Sequence, residues 1–508
     1  MIERCWRPYF PFPHVRPVQV EGLDFIFESL NSQAGDIFVE SPTGTGKSGV
    51  AITVARHAAA QGRYTYISTK NIELEDQYIG DFARLGLKQL HSRSHYECPD
   101  WQFCDAGARC DCDCDDCPYK EAKIAFECGS FGVANAAFLL TCARFRKDWH
   151  TRSIAIFDEA HLLHDVITEG FSFGIHQSEV EFFPPEGQET TWLKEHYASW
   201  LEKRMAESRA QLSLARIRRE KDAIPQLVRK LERAEARQVN LRLILGDDPD
   251  NWIFDQEDHK LKIAPLWAAS FAPRLLSRIG SKRIYLSATL PGFRHQCRYL
   301  GIDPKASRSL ALPSPFPPAH RPIHVCPAVR WNWQNRAAGV VAAAKAITKI
   351  LILHPLDRGL VHVSSYPQAQ EIVTACGDPR LLTHRSAYEK CRRLEEMFAR
   401  PAAVLVSPSS HEGLDLYEER SRFQVIAKLP FASLGDKRVQ RRIEQDGQWY
   451  NLHTAQRFTQ AVGRSVRSER DYATTYVIDA AFEGFCARAA QFFPDYLIEA
   501  LRFGEVCL

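Results

Sequence analysis

Ile37-Phe-Val-Glu-Ser-Pro-Thr-Gly-Thr-Gly-Lys-Ser48 decides how this chain is read. Three apolar residues, Ile37–Val39, have the length and character of a buried strand. The loop Glu40-Ser-Pro-Thr-Gly-Thr-Gly-Lys-Ser48 follows, and a helical run covers Lys47–Ala60. Strand, glycine loop and helix in that order let backbone N–H groups cradle phosphate oxygens at the positive end of a helix. Gly44 and Gly46 allow the close approach. Thr43, Gly44, Thr45, Gly46, Lys47 and Ser48 are the expected nucleotide-binding residues, with Lys47 on the β- and γ-phosphates and Ser48 on Mg²⁺. Ser41 stands where the strict pattern has Gly.

Working outward, the same kind of short apolar run recurs at Tyr64–Ile67, Ile154–Phe157, Ile284–Leu286, Leu360–Val363, Ala403–Val406, Phe423–Ala427 and Thr475–Ile478. Helical stretches such as Pro367–Cys376 lie between them, so the expected fold class is α/β with parallel sheets. At 508 residues the chain holds about three or four domains. The composition, 45% apolar and 25% charged, is that of a globular protein, which excludes disordered and collagenous classes. A net charge of +3 decides nothing about nucleic acid, which a local patch can bind. No stretch reads as a membrane span and the N-terminus lacks a secretory core, so an intracellular protein, cytoplasmic or nucleoid-associated, is expected.

Two regions break the alternation. From Leu193 to Leu245 there is no strand signal, and thirteen Lys/Arg face seven Asp/Glu. Pro225 is expected to divide it into two helices. It reads either as a solvated helical hairpin or as a basic wall beside a nucleic-acid channel. The other region holds seven of the fifteen cysteines, between Cys98 and Cys128. An odd total with no secretory signal argues for a metal site rather than a disulfide framework. The Pro-rich stretch Pro313–Pro318 is the expected linker between two α/β halves.

Ile154-Ala-Ile-Phe157 runs into Asp158-Glu-Ala-His161. An apolar strand ending in two acids suits a metal–nucleotide site: Asp158 for Mg²⁺ and Glu159 for the attacking water. Together the loop and this motif resemble superfamily 2 helicases, and the cysteine cluster between them narrows the resemblance to the XPD/DinG family of iron–sulfur DNA helicases. Further motifs carry it along nearly the whole chain. Tyr9-Phe-Pro-Phe-Pro13 and Arg16-Pro-Val-Gln19 resemble the adenine-reading segment, with Gln19 on the base. Ser68-Thr-Lys70 resembles the motif that touches the nucleic-acid backbone, through Thr69 and Lys70. Asn135 falls where the family has an Asn. Ser287-Ala-Thr-Leu290, Ser314-Pro-Phe316, Glu412-Gly-Leu-Asp-Leu416 and Lys428-Leu-Pro-Phe431 match later motifs. Gln460-Ala-Val-Gly-Arg-Ser-Val-Arg467 resembles the last; Gln460, Arg464 and Arg467, three to four apart, share one helical face and suit the stabilisation of phosphoryl charge. Asp479-Ala-Ala481 departs from the family's Asp-x-Arg.

Ser92-Arg-Ser-His-Tyr-Glu-Cys98 resembles the opening of the family's cluster region, and Cys117-Pro-Tyr119 its close. The resemblance implies a [4Fe–4S] cluster on Cys98, Cys104, Cys110 and Cys117, with Arg93 as a nucleic-acid contact. Cys112 and Cys114 remain alternatives for the middle pair. Four thiolates suit zinc equally well by residue type. Asp111, Asp113, Asp115 and Asp116 are expected to face solvent.

The implied architecture is two tandem RecA-like domains. The first occupies 1–90, 131–165 and 263–295; a cluster domain (91–130) and a helical arch-like insert (166–262) interrupt it. The second runs 296–508. The implied activity is ATP-dependent DNA unwinding of DEAH type, 5′ to 3′ on single-stranded DNA, with ATP, Mg²⁺ and the cluster as cofactors. Alternatives are a nucleic-acid-stimulated translocase that remodels protein–DNA or RNA–DNA complexes, and a silent binding subunit. The intact Lys47, Asp158, Glu159 and Arg467 weigh against the last. A fused nuclease is not expected. Single-stranded, tailed and forked DNA are the implied partners, with proteins on the insert; a monomer suffices and no membrane is involved.

Overall fold

The computed structural model describes residues 4–97, 116–220, 223–290, 292–408, 416, 418–464, 466, 468 and 470–504. Among them lie two seven-stranded parallel sheets and one three-stranded antiparallel sheet. In chain order the strands are β1 Asp36–Glu40, β2 Thr65–Thr69, β3 Lys88–Gln89, β4 Phe131–Asn135, β5 Arg152–Asp158, β6 Phe173–His176, β7 Trp252–Glu257, β8 Lys260–Pro265 and β9 Gly280–Ser287. They continue with β10 Ser307–Ala311, β11 Ile323–Val329, β12 Gly359–His362, β13 Leu381–Thr383, β14 Val404–Ser407, β15 Phe423–Ile426, β16 Thr474–Asp479 and β17 Leu501–Phe503. The first sheet has the order β10-β1-β9-β5-β2-β4-β3 and the second β13-β14-β12-β15-β16-β11-β17.

Both parallel sheets are covered on both faces, which explains the continuous apolar runs. The side-chain period of two divides each strand between two cores. Ile154 and Ile156 of β5 join Ile37, Val39, Ile67 and Ile284 on one face. Ala155 and Phe157 join Phe38, Tyr66 and Tyr285 on the other, where Phe38 and Tyr285 stack at 4.3 Å. The second face continues into Trp192, Leu193, Tyr197, Leu241 and Trp252, so the insert shares the core of the first domain rather than hanging from it.

All the strand runs named from the sequence are strands of the two parallel sheets. Two things differ. β10 pairs with β1 in the first sheet, so the boundary between the halves falls after Ala311 and not at 295/296. The Pro-rich linker does span the gap, from β10 to β11. The insert is not purely helical: β6, β8 and β7 form the antiparallel sheet beneath the helices Ala198–Arg218 and Ile224–Gly246. The expected division at Pro225 is present: one helix ends before it and the next begins with it in the first turn, where its missing N–H costs nothing. The preceding helix ends at Arg219 in the left-handed region, φ 58°.

No described helix is long and apolar enough to cross a membrane.

Candidate functional site between the two parallel-sheet domains

Sheet order explains how the distant motifs meet. β1, β9 and β5 are neighbours, with Glu40 opposite Ser287 and Asp158 opposite Leu286. The glycine loop, the Ser287-Ala-Thr segment and the Asp158-Glu pair therefore emerge side by side at the carboxyl ends of three parallel strands, where ligands bind in open α/β sheets. The Ser41 N–H donates to Ser287 O at 2.7 Å and locks loop to strand.

Gly44 and Gly46 adopt φ 77° and 82°, which side chains resist. A Cβ on Gly46 would stand 2.4 Å from Gln19 Nε2. Thr45 is buried; its hydroxyl shares a 2.7 Å hydrogen bond with Ser41 Oγ and lies 2.8 Å from Pro42 O, so it braces the loop from behind. Gly46 caps the helix Lys47–Ala60, and Lys47 Nζ reaches back to Ser41 O at 3.3 Å.

Gly44, Gly46, Lys47, Ser48, Lys70, Asp158, Glu159, Gln460 and Arg464 line one cleft of about 370 Å³ between the domains. Asp158 accepts from Tyr78 OH at 2.9 Å through Oδ2 and from the Glu159 N–H at 3.0 Å through Oδ1. Burial, then the neighbouring Glu159, pushes its carboxyl up to about 6, against the pull of Lys47 and Tyr78. Glu159 is held in the left-handed region at φ 53°, a strained setting for a residue other than glycine and one typical of functional turns.

From Glu159 a file of polar groups crosses to the other domain. His161 Nδ1 lies 3.4 Å from Glu159 Oε2 and shares a 2.8 Å hydrogen bond with Ser287 Oγ. The Thr289 N–H donates to that same Oγ at 3.1 Å. Gln460 Nε2 donates to Thr289 Oγ1 at 2.9 Å, and Arg464 Nη2 to Gln460 Oε1 at 3.3 Å. Gln460 and Arg464 are both buried. A Cβ on Gly463 would meet Thr43 Oγ1 at 2.8 Å, so the second domain rests directly on the glycine loop.

Other sequence-derived residues sit elsewhere. Gln19 does not line the cleft: its amide is engaged behind the loop, accepting from the Arg16 N–H at 3.0 Å and donating to Gly46 O at 3.3 Å. Thr43 faces a separate small cavity with Gly463. Thr69 is buried and its hydroxyl donates to Asn71 O at 3.2 Å, while Lys70 joins the nucleotide-type cleft. Arg93 lies over the Tyr119 ring at 4.9 Å, beside the cysteine segment. Asn135 caps its helix and donates to the buried Glu75 at 2.9 Å. Arg467, Cys98, Cys104, Cys110, Cys112, Cys114 and Glu412 to Asp415 lie outside the described residues. Cys117 is buried at the start of the helix Pro118–Cys128, and Asp116 is exposed as expected. Among the described residues no three His, Cys, Asp or Glu side chains are grouped to hold a metal. Tyr78 was not legible as a site residue. A tyrosine on the apolar face of the helix Ile72–Phe82 reads as core, and only the fold brings its hydroxyl to Asp158.

The oxygens of Asp158 keep lone pairs beyond the two donors they meet, and Ser48 lines the same cleft; this all-oxygen set fits Mg²⁺.

Gln460 and Arg464 do not share a helical face as expected, because the helix Trp449–Val462 ends before Arg464. Two tandem parallel-sheet domains, with a glycine loop and an acid pair on one facing Gln460 and Arg464 on the other, define a superfamily 2 helicase. Family comparison agrees. Residues 12–168 match the type III restriction enzyme res subunit family and residues 347–499 the helicase C-terminal domain family. The regulator of telomere elongation helicase 1 homolog of Drosophila sechellia is 26% identical over 185 residues, 30% of this chain and 19% of that protein. The Drosophila melanogaster homolog is 27% identical over 158 residues, 25% of this chain and 16% of that protein. The matched stretch thus spans about a fifth or less of those relatives. Among solved structures an XPD helicase aligns with TM-score 0.63 and 14% identity, covering 97% of this chain and all of the other. S. tokodaii Xpd4 aligns with TM-score 0.58 and 14% identity, covering 96% of this chain and 100% of that one. The chain belongs to the XPD/DinG-type family of superfamily 2 helicases.

Proposed function

We propose that the chain is an ATP-dependent DNA helicase of DEAH type that moves 5′ to 3′ on single-stranded DNA and separates duplex strands. The observation that carries the reading is the continuous contact from Glu159 through His161, Ser287 and Thr289 to Gln460 and Arg464. It ties the hydrolytic acid pair of one domain to Gln460, near the end of the helix Trp449–Val462, and to Arg464 just beyond it in the other. The polarity comes from the family resemblance alone.

In this reading Lys47 and the loop 43–48 hold the triphosphate, and Ser48 and Asp158 hold Mg²⁺. When bound, Mg²⁺ neutralises charge developing on the phosphate oxygens. Glu159, whose strained backbone aims it into the cleft, orients water and takes its proton. Arg464 and Arg467 stabilise the transferring phosphoryl group from the second domain. Loss of the γ-phosphate removes what both domains contact, and the domains part. Of the expected nucleic-acid contacts Arg93 is the one placed to meet a strand, since Thr69 is buried and Lys70 lines the nucleotide cleft, and Gln19 reads the adenine once released from Gly46. Cys98, Cys104, Cys110 and Cys117 would hold a [4Fe–4S] cluster, which would cross-link the cysteine segment when bound.

The test is phosphate release from ATP with single-stranded DNA or RNA of the same sequence. DNA is expected to stimulate it, and Lys47→Ala to abolish it. Stimulation by RNA alone would overturn the substrate assignment.

A further inference from the structure

The helix Ile72–Phe82 forms one wall of the nucleotide-type cleft, through Glu73, Leu74, Gln77, Tyr78 and Asp81. Its buried face is Glu75, Tyr78 and Phe82, one residue per turn. Packing alone calls for aliphatic or phenyl side chains at such positions, because a buried carboxyl or hydroxyl costs stability unless it finds a partner. Both polar members of this face have one.

Glu75 anchors the helix. It is buried, accepts from Asn135 Nδ2 at 2.9 Å, and its other oxygen lies 3.0 Å from His91 Nδ1. Asn135 in turn stands opposite Thr69 in the sheet and caps the helix Ala136–Phe145 on the Phe138 N–H. At the start of the helix the Asn71 side chain accepts from the Leu74 N–H at 3.2 Å. The helix is therefore pinned to the first domain one turn before Tyr78 and on the same face.

Tyr78 is buried, and its ring packs beside Phe82 with centroids 6.0 Å apart. Its hydroxyl reaches the cleft and donates to Asp158 Oδ2 at 2.9 Å. Asp158 ends β5, where its backbone is fixed by pairing opposite Leu286 of β9. What the ladder leaves free is rotation of the carboxylate. The Glu159 N–H on Oδ1, at 3.0 Å, and the Tyr78 hydroxyl on Oδ2 engage both oxygens and stop that rotation. An ionised carboxylate has about four lone-pair sites, so two donors leave capacity for a cation.

We propose that Tyr78 is a positioning residue for Mg²⁺: its hydroxyl holds the Asp158 carboxylate in the orientation that receives the metal. The proposal rests on the Mg²⁺ role given to Asp158 above. A hydrogen-bond partner of this kind orients the metal-binding side chain before the ion arrives, and its loss costs about 10–100-fold in metal affinity. The partners that place the hydroxyl, Asn71, Glu75, Asn135 and Phe82, all belong to the first domain. The effect is therefore present without nucleic acid.

The test uses the full chain and a fluorescent, non-hydrolysable ATP analogue, with Mg²⁺ titrated and no nucleic acid present. Tyr78→Phe deletes one oxygen and keeps the ring. It is expected to raise the half-saturating Mg²⁺ concentration about tenfold or more, while the affinity for the analogue in EDTA stays as in the wild type. ATP hydrolysis by this variant is expected to recover as Mg²⁺ is raised. Phe82→Leu loosens the same helix without touching the hydroxyl. It should lower the midpoint of thermal unfolding and leave the Mg²⁺ requirement where it was. An unchanged Mg²⁺ requirement in Tyr78→Phe would overturn the proposal. So would an equal shift in Phe82→Leu, which would assign the effect to packing of the helix, or hydrolysis that no Mg²⁺ concentration restores. A wild-type chain that binds the analogue equally well with and without Mg²⁺ would overturn the Mg²⁺ role of Asp158 and this proposal with it.

Discussion

At the scale of single residues, burial sets what the ionisable groups do. His164 and His453 stand at the interface of the motor domains, among Asp165, Arg438, Arg442 and Arg457. Burial first, then the neighbouring arginines, lowers His164 to about 4 and His453 to about 3, from 6.5. Between 6.5 and those values the unfolded chain binds protons that the folded chain refuses, so stability falls as pH falls through that window. Glu40 and Glu75, raised to about 7 by burial, act in the opposite sense, so the comparison must be between variants. The midpoint of thermal unfolding should drop less between pH 7 and pH 5 in His453→Gln than in the wild type. Equal drops would show that His453 is protonated in the folded chain.

Cys117 belongs to the same scale. It is 4% exposed and packs with Leu90, Tyr119 and Phe126. Its assignment as a cluster ligand predicts iron and acid-labile sulfide in protein purified without oxygen, and their loss in Cys117→Ser. Zinc in place of iron, or iron retained by the variant, would contradict that assignment.

At the scale of elements, the claim concerns coupling. β9 ends in Ser287 and continues to Thr289, which meets Gln460 of the helix Trp449–Val462. Thr289→Val removes the acceptor for Gln460 while nearly preserving volume, and it leaves Lys47, Asp158 and Glu159 in place. The expected result is retained nucleotide binding with a loss of nucleic-acid stimulation of hydrolysis. Combined with Gln460→Leu, the effects should be less than additive, because both remove one contact. Additive losses would mean that the two residues act separately and that the file of contacts carries no coupling.

At the scale of the whole molecule, the sequence was most informative where strand, loop and helix are contiguous. The run 37–48 and the stretch ending in Asp158-Glu159 each hold their own local geometry, so their strands and turns could be read directly. The parallel sheets followed from apolar runs that both faces of a covered sheet require. Neighbour relations were not legible in the same way. Nothing local to Tyr78 announces Asp158, eighty residues away. Arg144, Arg438 and Arg442 lie far apart along the chain, and only the packing of the domains brings them to one cleft. The antiparallel strands of the insert escaped because they are short and lie on either side of a strongly helical stretch. Gln19 shows the converse: its motif was recognisable, but its amide is turned onto Gly46.

In the proposed mechanism, closure of the two domains on ATP is converted into strand separation. The most direct measurement is strand displacement on two otherwise identical duplexes, one with a 5′ tail and one with a 3′ tail, with ATP and Mg²⁺ and with Lys47→Ala as control. Displacement is expected from the 5′ tail only and is abolished in the control. Displacement from neither tail, with DNA-stimulated ATP hydrolysis intact, would contradict it and leave a translocase that does not unwind.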